Sequence, residues 1–117
     1  MADERLANAG VELLARDGTG PLWGMASTDL NATLLAWPAG HEVAEHTNTE
    51  LDVLLIVLEG GGVAIVDQQD RALAPGTALL IEKDSSRVIR AGAAGIRYLS
   101  VHKRRRPLQV AGLSDQG

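Results

Sequence analysis

The punctuation of this chain predicts an all-β fold, a sandwich or barrel of short strands, and three observations lead there. Apolar runs are short, at residues 32–37, 53–58, 63–66, 78–81, 88–89 and 96–101. Turn-forming residues separate them: Gly18 to Pro21, Pro38 to Gly40, Gly60 to Gly62, Asp67 to Asp70, Pro75 and Gly76, Asp84 to Ser86, and Gly92 to Gly95. No helical blocks alternate with these runs, which argues against a doubly wound sheet.

The elements follow in chain order. Leu6, Val11, Leu13 and Leu14 fall loosely at helical spacing between Asp3 and Gly18, predicting a short helix that Gly10 weakens. An arm ending in a short strand is the alternative. Residues 1–20 form this arm, residues 21–107 the barrel and residues 108–117 a C-terminal tail. Gly60 to Gly62 reads as a turn needing positive φ, and not as a phosphate loop, because no Gly-Lys-Ser/Thr follows. The run at 53–58, Val-Leu-Leu-Ile-Val-Leu, is apolar at consecutive positions. Neighbouring residues of a strand face opposite sides, so both faces need cover. One face fills the barrel. The other meets either the N-terminal residues of the same chain or a second copy, and a homodimer is expected.

Composition narrows the function classes. The 117 residues make one domain with a substantial core and are too few for two. Hydrophobic residues are 45% but aromatics only 3%, so aliphatic side chains must fill the interior. With no cysteine, disulfides, thiolate metal sites and a cysteine nucleophile are excluded. No segment is long and apolar enough to span a bilayer, and the N-terminus is too polar for a signal peptide. A cytoplasmic protein without a membrane partner is therefore expected. A net charge of −4 disfavours nucleic acid as the main partner, and residues 103–106, Lys-Arg-Arg-Arg, read as a solvated strand end. The serines lack a hydrolase elbow.

Chemistry concentrates between Pro38 and Gly62. His46 and Asn48 stand one residue apart, Glu50 and Asp52 follow, and the apolar run comes next. Polar groups at the start of a buried strand mark a small-molecule or metal site at a barrel mouth. His41, after Gly40, is expected to be exposed. Trp37 is the better of the two tryptophans for a ligand wall.

The order from residues 38 to 92 resembles a small single-domain cupin. The first motif of that family reads Gly, five residues, His-x-His, three or four residues, Glu, and a later Gly. Gly40, His46, Asn48 and Asp52 follow it, with Gly60 one position late. The second motif reads Gly, five residues, Pro-x-Gly, two residues, His, and here Gly76, Glu82, Asp84 and Arg87 occupy those places. The resemblance covers roughly residues 30–102 and implies a double-stranded β-helix, the cupin jelly-roll barrel. It also implies a divalent metal (Fe, Mn, Zn or Ni) held by the positions of His46, Asn48, Asp52 and Arg87.

Those residues make a degenerate metal motif. Imidazole and carboxylate are good donors, but an Asn carbonyl is a weak ligand, and Arg87 is a permanent cation that repels a metal. A rebuilt set of His46, His102 and a carboxylate from Glu50 or Asp52 would restore two His and an acid. Tyr98, Ser100 and His102 share one strand face by parity. Arg87 could pair with Asp52 or Glu50, hold an anionic ligand, or form a solvated stripe with Arg90. The candidate ligand-binding residues are thus His46, Asn48, Asp52, Arg87, Tyr98 and Trp37. Three functions stay open. One is a barrel that binds a small molecule or, weakly, a divalent metal. The second is a cupin-type enzyme, either a metal-dependent dioxygenase or a metal-free isomerase or epimerase with His46 as base and Asp52 orienting it. The third is a structural or interaction barrel whose mouth holds a salt-bridge network.

Overall fold

The computed structural model describes residues 3–4 and 10–104. Eight strands run in the order β1 (Asp3–Glu4), β2 (Gly20–Ala26), β3 (Leu30–Trp37), β4 (Glu42–Thr47), β5 (Val53–Val66), β6 (Gln69–Leu73), β7 (Ala78–Ile81) and β8 (Ser86–Lys103). A single 3₁₀ turn, Leu13–Ala15, precedes β2. Every pairing is antiparallel except β1 with β2. The result is an all-β jelly roll.

Two long strands, β5 and β8, serve both layers. Residues 53–56 of β5 pair with β7, and residues 53–57 with residues 98–102 of β8, whose outer neighbour is β3. Residues 62–66 of β5 pair with β6 and with residues 87–91 of β8, whose outer neighbour is β4. The glycine triplet is therefore not the turn expected from the sequence. It is the bend at which β5 passes from one layer to the other, marked by register shifts at Val57/Glu59 and Gly60/Gly62. Gly92 to Gly95 does the same within β8. Packing explains the glycines: a Cβ on Gly62 would run into the carbonyl of Arg90, and one on Gly60, at φ +67°, into that of Gly95.

The turn after β5 is tighter than expected, because Asp67 and Gln68 alone connect Val66 to Gln69. Both have positive φ, 47° and 69°, as a type I′ hairpin requires. The Asp67 carboxylate then accepts the Ser86 amide at 2.9 Å, tying this hairpin to the start of β8.

Inside the barrel, Val53, Leu55 and Val57 of β5 pack with Ile81, Ile89, Ile96 and Tyr98. The opposite faces of β2 and β3 carry Trp23, Ala32, Leu34 and Ala36, all buried. The N-terminal arm covers part of this outer side. Arg97 Nη1 donates to the carbonyls of Leu13 (3.0 Å) and Arg16 (2.6 Å). The Arg16 guanidinium lies 6.0 Å from the Trp23 ring centre. A helix from Asp3 to Gly18 does not form over its described part. The Leu13 and Arg16 carbonyls satisfy a side chain instead of a helical ladder, and Asp3–Glu4 adds to the edge of β2. Residues 5–9 of that expected helix, and 105–117 with the tail, lie outside the described residues. Beyond the arm, Leu54 and Ile56 of β5 are half-buried and Leu80 of β7 is exposed on the same outer face.

Candidate functional site

A cavity of about 510 Å³ opens between β3, β4 and β8. Its walls are aliphatic: Leu35, Val43, Leu55 and Ile89. Thr33, Ser100 and Tyr98 supply hydroxyls, while His46 and Arg87 supply nitrogen. Trp37 forms a flat side. A largely apolar concavity with a few placed polar groups, within the range of about 300–1,000 Å³, is what small-ligand sites look like.

Strand register explains how these groups converge. Thr33, Leu35 and Trp37 pair with Ser100, Tyr98 and Ile96, so alternate residues of β3 and β8 share the inner face. His46 reaches the cavity by a different device. Val43 pairs with Ile89 and His46 with Arg87, three residues on β4 against two on β8. That extra residue is a β-bulge at Ala44 and Glu45. Without it, Val43 and His46 would face opposite sides; with it, both line the cavity.

Arg87 is the central charge. It lies half-buried, and its Nη1 is fully buried without a hydrogen-bond partner among the described residues. Burial pushes its guanidinium below its usual pKa, partly offset by Tyr98, and it stays charged. The expected internal pair with Asp52 or Glu50 does not form among the described residues; the ion pairs there join Arg90 to Glu42 (2.6 Å) and Arg97 to Glu59 (3.0 Å). Nor do Arg87 and Arg90 form one stripe. Three residues apart on β8, they point to opposite sides, Arg87 into the cavity and Arg90 outward to Glu42.

Tyr98 is buried beside this charge. Its hydroxyl accepts the Trp37 indole N–H at 3.0 Å, which leaves its own proton to donate. Burial raises the Tyr98 pKa, opposed by the Trp37 hydrogen bond and the Arg87 charge, so the phenol stays neutral. His41 is half-buried, not exposed as expected. Its ring stacks on Trp37, with centroids 4.4 Å apart and planes 7° apart.

Four sequence candidates, His46, Arg87, Tyr98 and Trp37, thus meet in one cavity. The others lie elsewhere. Asn48 turns its Oδ1 onto its own loop, accepting the amides of Glu50 (2.9 Å) and Leu51 (3.0 Å). Asp52 Oδ1 accepts the Lys83 amide at 2.9 Å, which ties that loop to the one before β8. Glu50 is exposed. His102 does share the inward face, as parity predicts, but stands beyond Ser100 next to Asn31 and Val53, with Nδ1 2.8 Å from the Lys103 carbonyl. The set does not fit a metal. Among the described residues no three of His, Cys, Asp or Glu gather, Asn48 Oδ1 and Asp52 Oδ1 already accept backbone amides, and a guanidinium lines the cavity.

Thr33, Ser100 and Val43 join the site without having been candidates. For Ser100 the signal was present, since it shares strand parity with Tyr98. For Val43 there was none, because only the bulge sets the facing of β4.

Solved structures place the fold. A cupin protein from Bacteroides fragilis superposes with a TM-score of 0.63 at 24% identity, covering 78% of this chain and 79% of that one. KdgF from Halomonas sp. gives 0.64 at 20% identity, with 68% and 73% covered. A sugar phosphate isomerase of the cupin superfamily from Silicibacter pomeroyi gives 0.60 at 21%, with 66% and 52% covered. The chain has the cupin fold. The sequence matches no family model and no curated protein. In cupin terms, Asp84 stands at the glycine of the second motif, and its φ of 72° is the left-handed conformation a glycine would adopt. Arg87 stands at that motif's closing histidine.

Proposed function

We propose that this cupin binds a small organic molecule in the cavity between β3, β4 and β8, using its own side chains and no bound metal. The observation that carries the reading is Arg87, a charged group lining a mostly apolar cavity that forms no ion pair among the described residues, although Glu45 stands at the exposed rim. Unpartnered charge inside a protein is costly, and a ligand that meets it gains most of what the apo protein lacks. The matching experiment follows thermal unfolding of chelator-treated protein across a set of small molecules, in wild type and in Val43→Phe, which fills the cavity from β4. Stabilisation that survives the chelator and disappears in Val43→Phe supports the reading. Stabilisation that needs an added divalent ion, or that survives the filled cavity, contradicts it.

A second reading, a metal-free isomerase or epimerase, is favoured by the bulge. It aims an imidazole into the same cavity as a phenol that holds its proton. His46 would take a proton from a bound ligand and Tyr98 would return one. On this reading His46→Gln abolishes turnover and leaves binding intact; equal loss of both would mean that His46 only binds.

A further inference from the structure

Building on the cavity as a ligand site, we propose that its occupant is a small monocarboxylate with an apolar body. Charge decides the head group. Arg87 is the one permanent cation among the cavity-lining residues described; Glu45, on the bulge at the rim, is exposed to solvent and forms no ion pair with it, so the charge inside the cavity is that of Arg87. A phosphate monoester carries about −1.5 to −2 at neutral pH. Placed here it would leave about one charge unmatched against Leu35, Val43, Leu55 and Ile89. A neutral ligand would leave the charge of Arg87 unmatched. One carboxylate matches the fork of the guanidinium in both charge and shape.

Supporting donors fit the same head group. The Tyr98 oxygen already accepts from Trp37, which leaves its own proton to donate toward a ligand. Tyr98 and Arg87 line the same cavity, which puts both donors within one ligand's reach. A second acceptor on the ligand would suit the hydroxyls of Thr33 or Ser100, which also line the cavity. The body of the ligand meets Trp37, whose ring is braced from behind by His41, and a flat or short branched chain suits that wall.

The test uses benzoate as probe, with benzamide as its neutral isostere and phenyl phosphate as its dianionic counterpart. Binding is read by tryptophan fluorescence and by calorimetry on the full chain after chelator treatment. Benzoate is expected to bind at least tenfold more tightly than either counterpart. Arg87→Met is expected to weaken it about 100-fold, the loss of a paired charge-assisted contact, and Arg87→Lys to recover part of that loss. Melting curves of both variants establish that they are folded. Benzamide or phenyl phosphate binding as well as benzoate, or Arg87→Met keeping benzoate affinity, overturns the carboxylate assignment while the cavity reading stands. No binding of any of the three, together with no hit lost in Val43→Phe, overturns both.

Discussion

Arg87→Met should make the protein without ligand more stable. The guanidinium is half-buried against Leu35, Ile89 and Tyr98, its Nη1 has no partner among the described residues, and burial already works against its charged form. Replacing a poorly compensated buried charge by an apolar side chain of similar length gains about 1–4 kcal/mol in well-buried sites. Arg87 keeps contact with solvent through the cavity mouth, so about 1–2 kcal/mol is the appropriate range. For a domain of this size that is a rise in melting temperature of roughly 3–8 °C. Urea unfolding at neutral pH, at constant m-value, gives the number directly. A loss of stability of 1 kcal/mol or more would refute the reasoning. It would mean that Arg87 has an acceptor in the folded chain and that the cavity does not store its charge for a ligand.

Three further outcomes follow from other parts of the molecule. Gly62→Ala puts a methyl group against the Arg90 carbonyl at the bend of β5; it should cost about 1–3 kcal/mol or more, seen as a lower urea midpoint, and a neutral result would show that the two layers can move apart there. Arg97→Met removes the donor to the Leu13 and Arg16 carbonyls; amide exchange across residues 11–16 should speed up well beyond the change in the barrel core, and uniform exchange would mean that the arm is held otherwise. Tyr98 has a raised pKa in the folded protein, so its contribution is complete below the unfolded value near 10 and is lost as pH climbs toward the folded value. The melting temperature of wild type should therefore fall above pH 10 more steeply than that of Tyr98→Phe, and parallel curves would contradict the burial of the hydroxyl.

Some of this was legible in the sequence, and the reasons are physical. The apolar runs 32–37 and 78–81 lie within β3 and on β7 because an apolar stretch between turn residues has few other uses. Gly60 to Gly62 and Gly92 to Gly95 misled, since glycine serves a tight backbone crossing as readily as a turn, and only the neighbouring carbonyls of Arg90 and Gly95 tell the two apart. The polar β4 and β6 were not visible as apolar runs, because much of their surface is exposed. Within the site, parity placed Tyr98 and Ser100 on one face, and motif spacing picked out His46 and Arg87. It could not show that Asn48 Oδ1 holds the amides of its own loop and Asp52 Oδ1 the amide of Lys83, nor that a bulge brings the exposed His46 to the cavity, because neither loop hydrogen bonds nor an inserted residue leaves a periodic trace.

The central claim is that this cupin-fold protein recognises its ligand through Arg87 and not through a metal. The most direct measurement follows the guanidinium N–H resonance of Arg87, assigned by its loss in Arg87→Lys, while benzoate is titrated into chelator-treated protein. The account predicts a saturable downfield shift of that resonance, with the midpoint unchanged by added zinc or iron. An Arg87 signal that stays still while benzoate binds, or that moves only when metal is supplied, would contradict it.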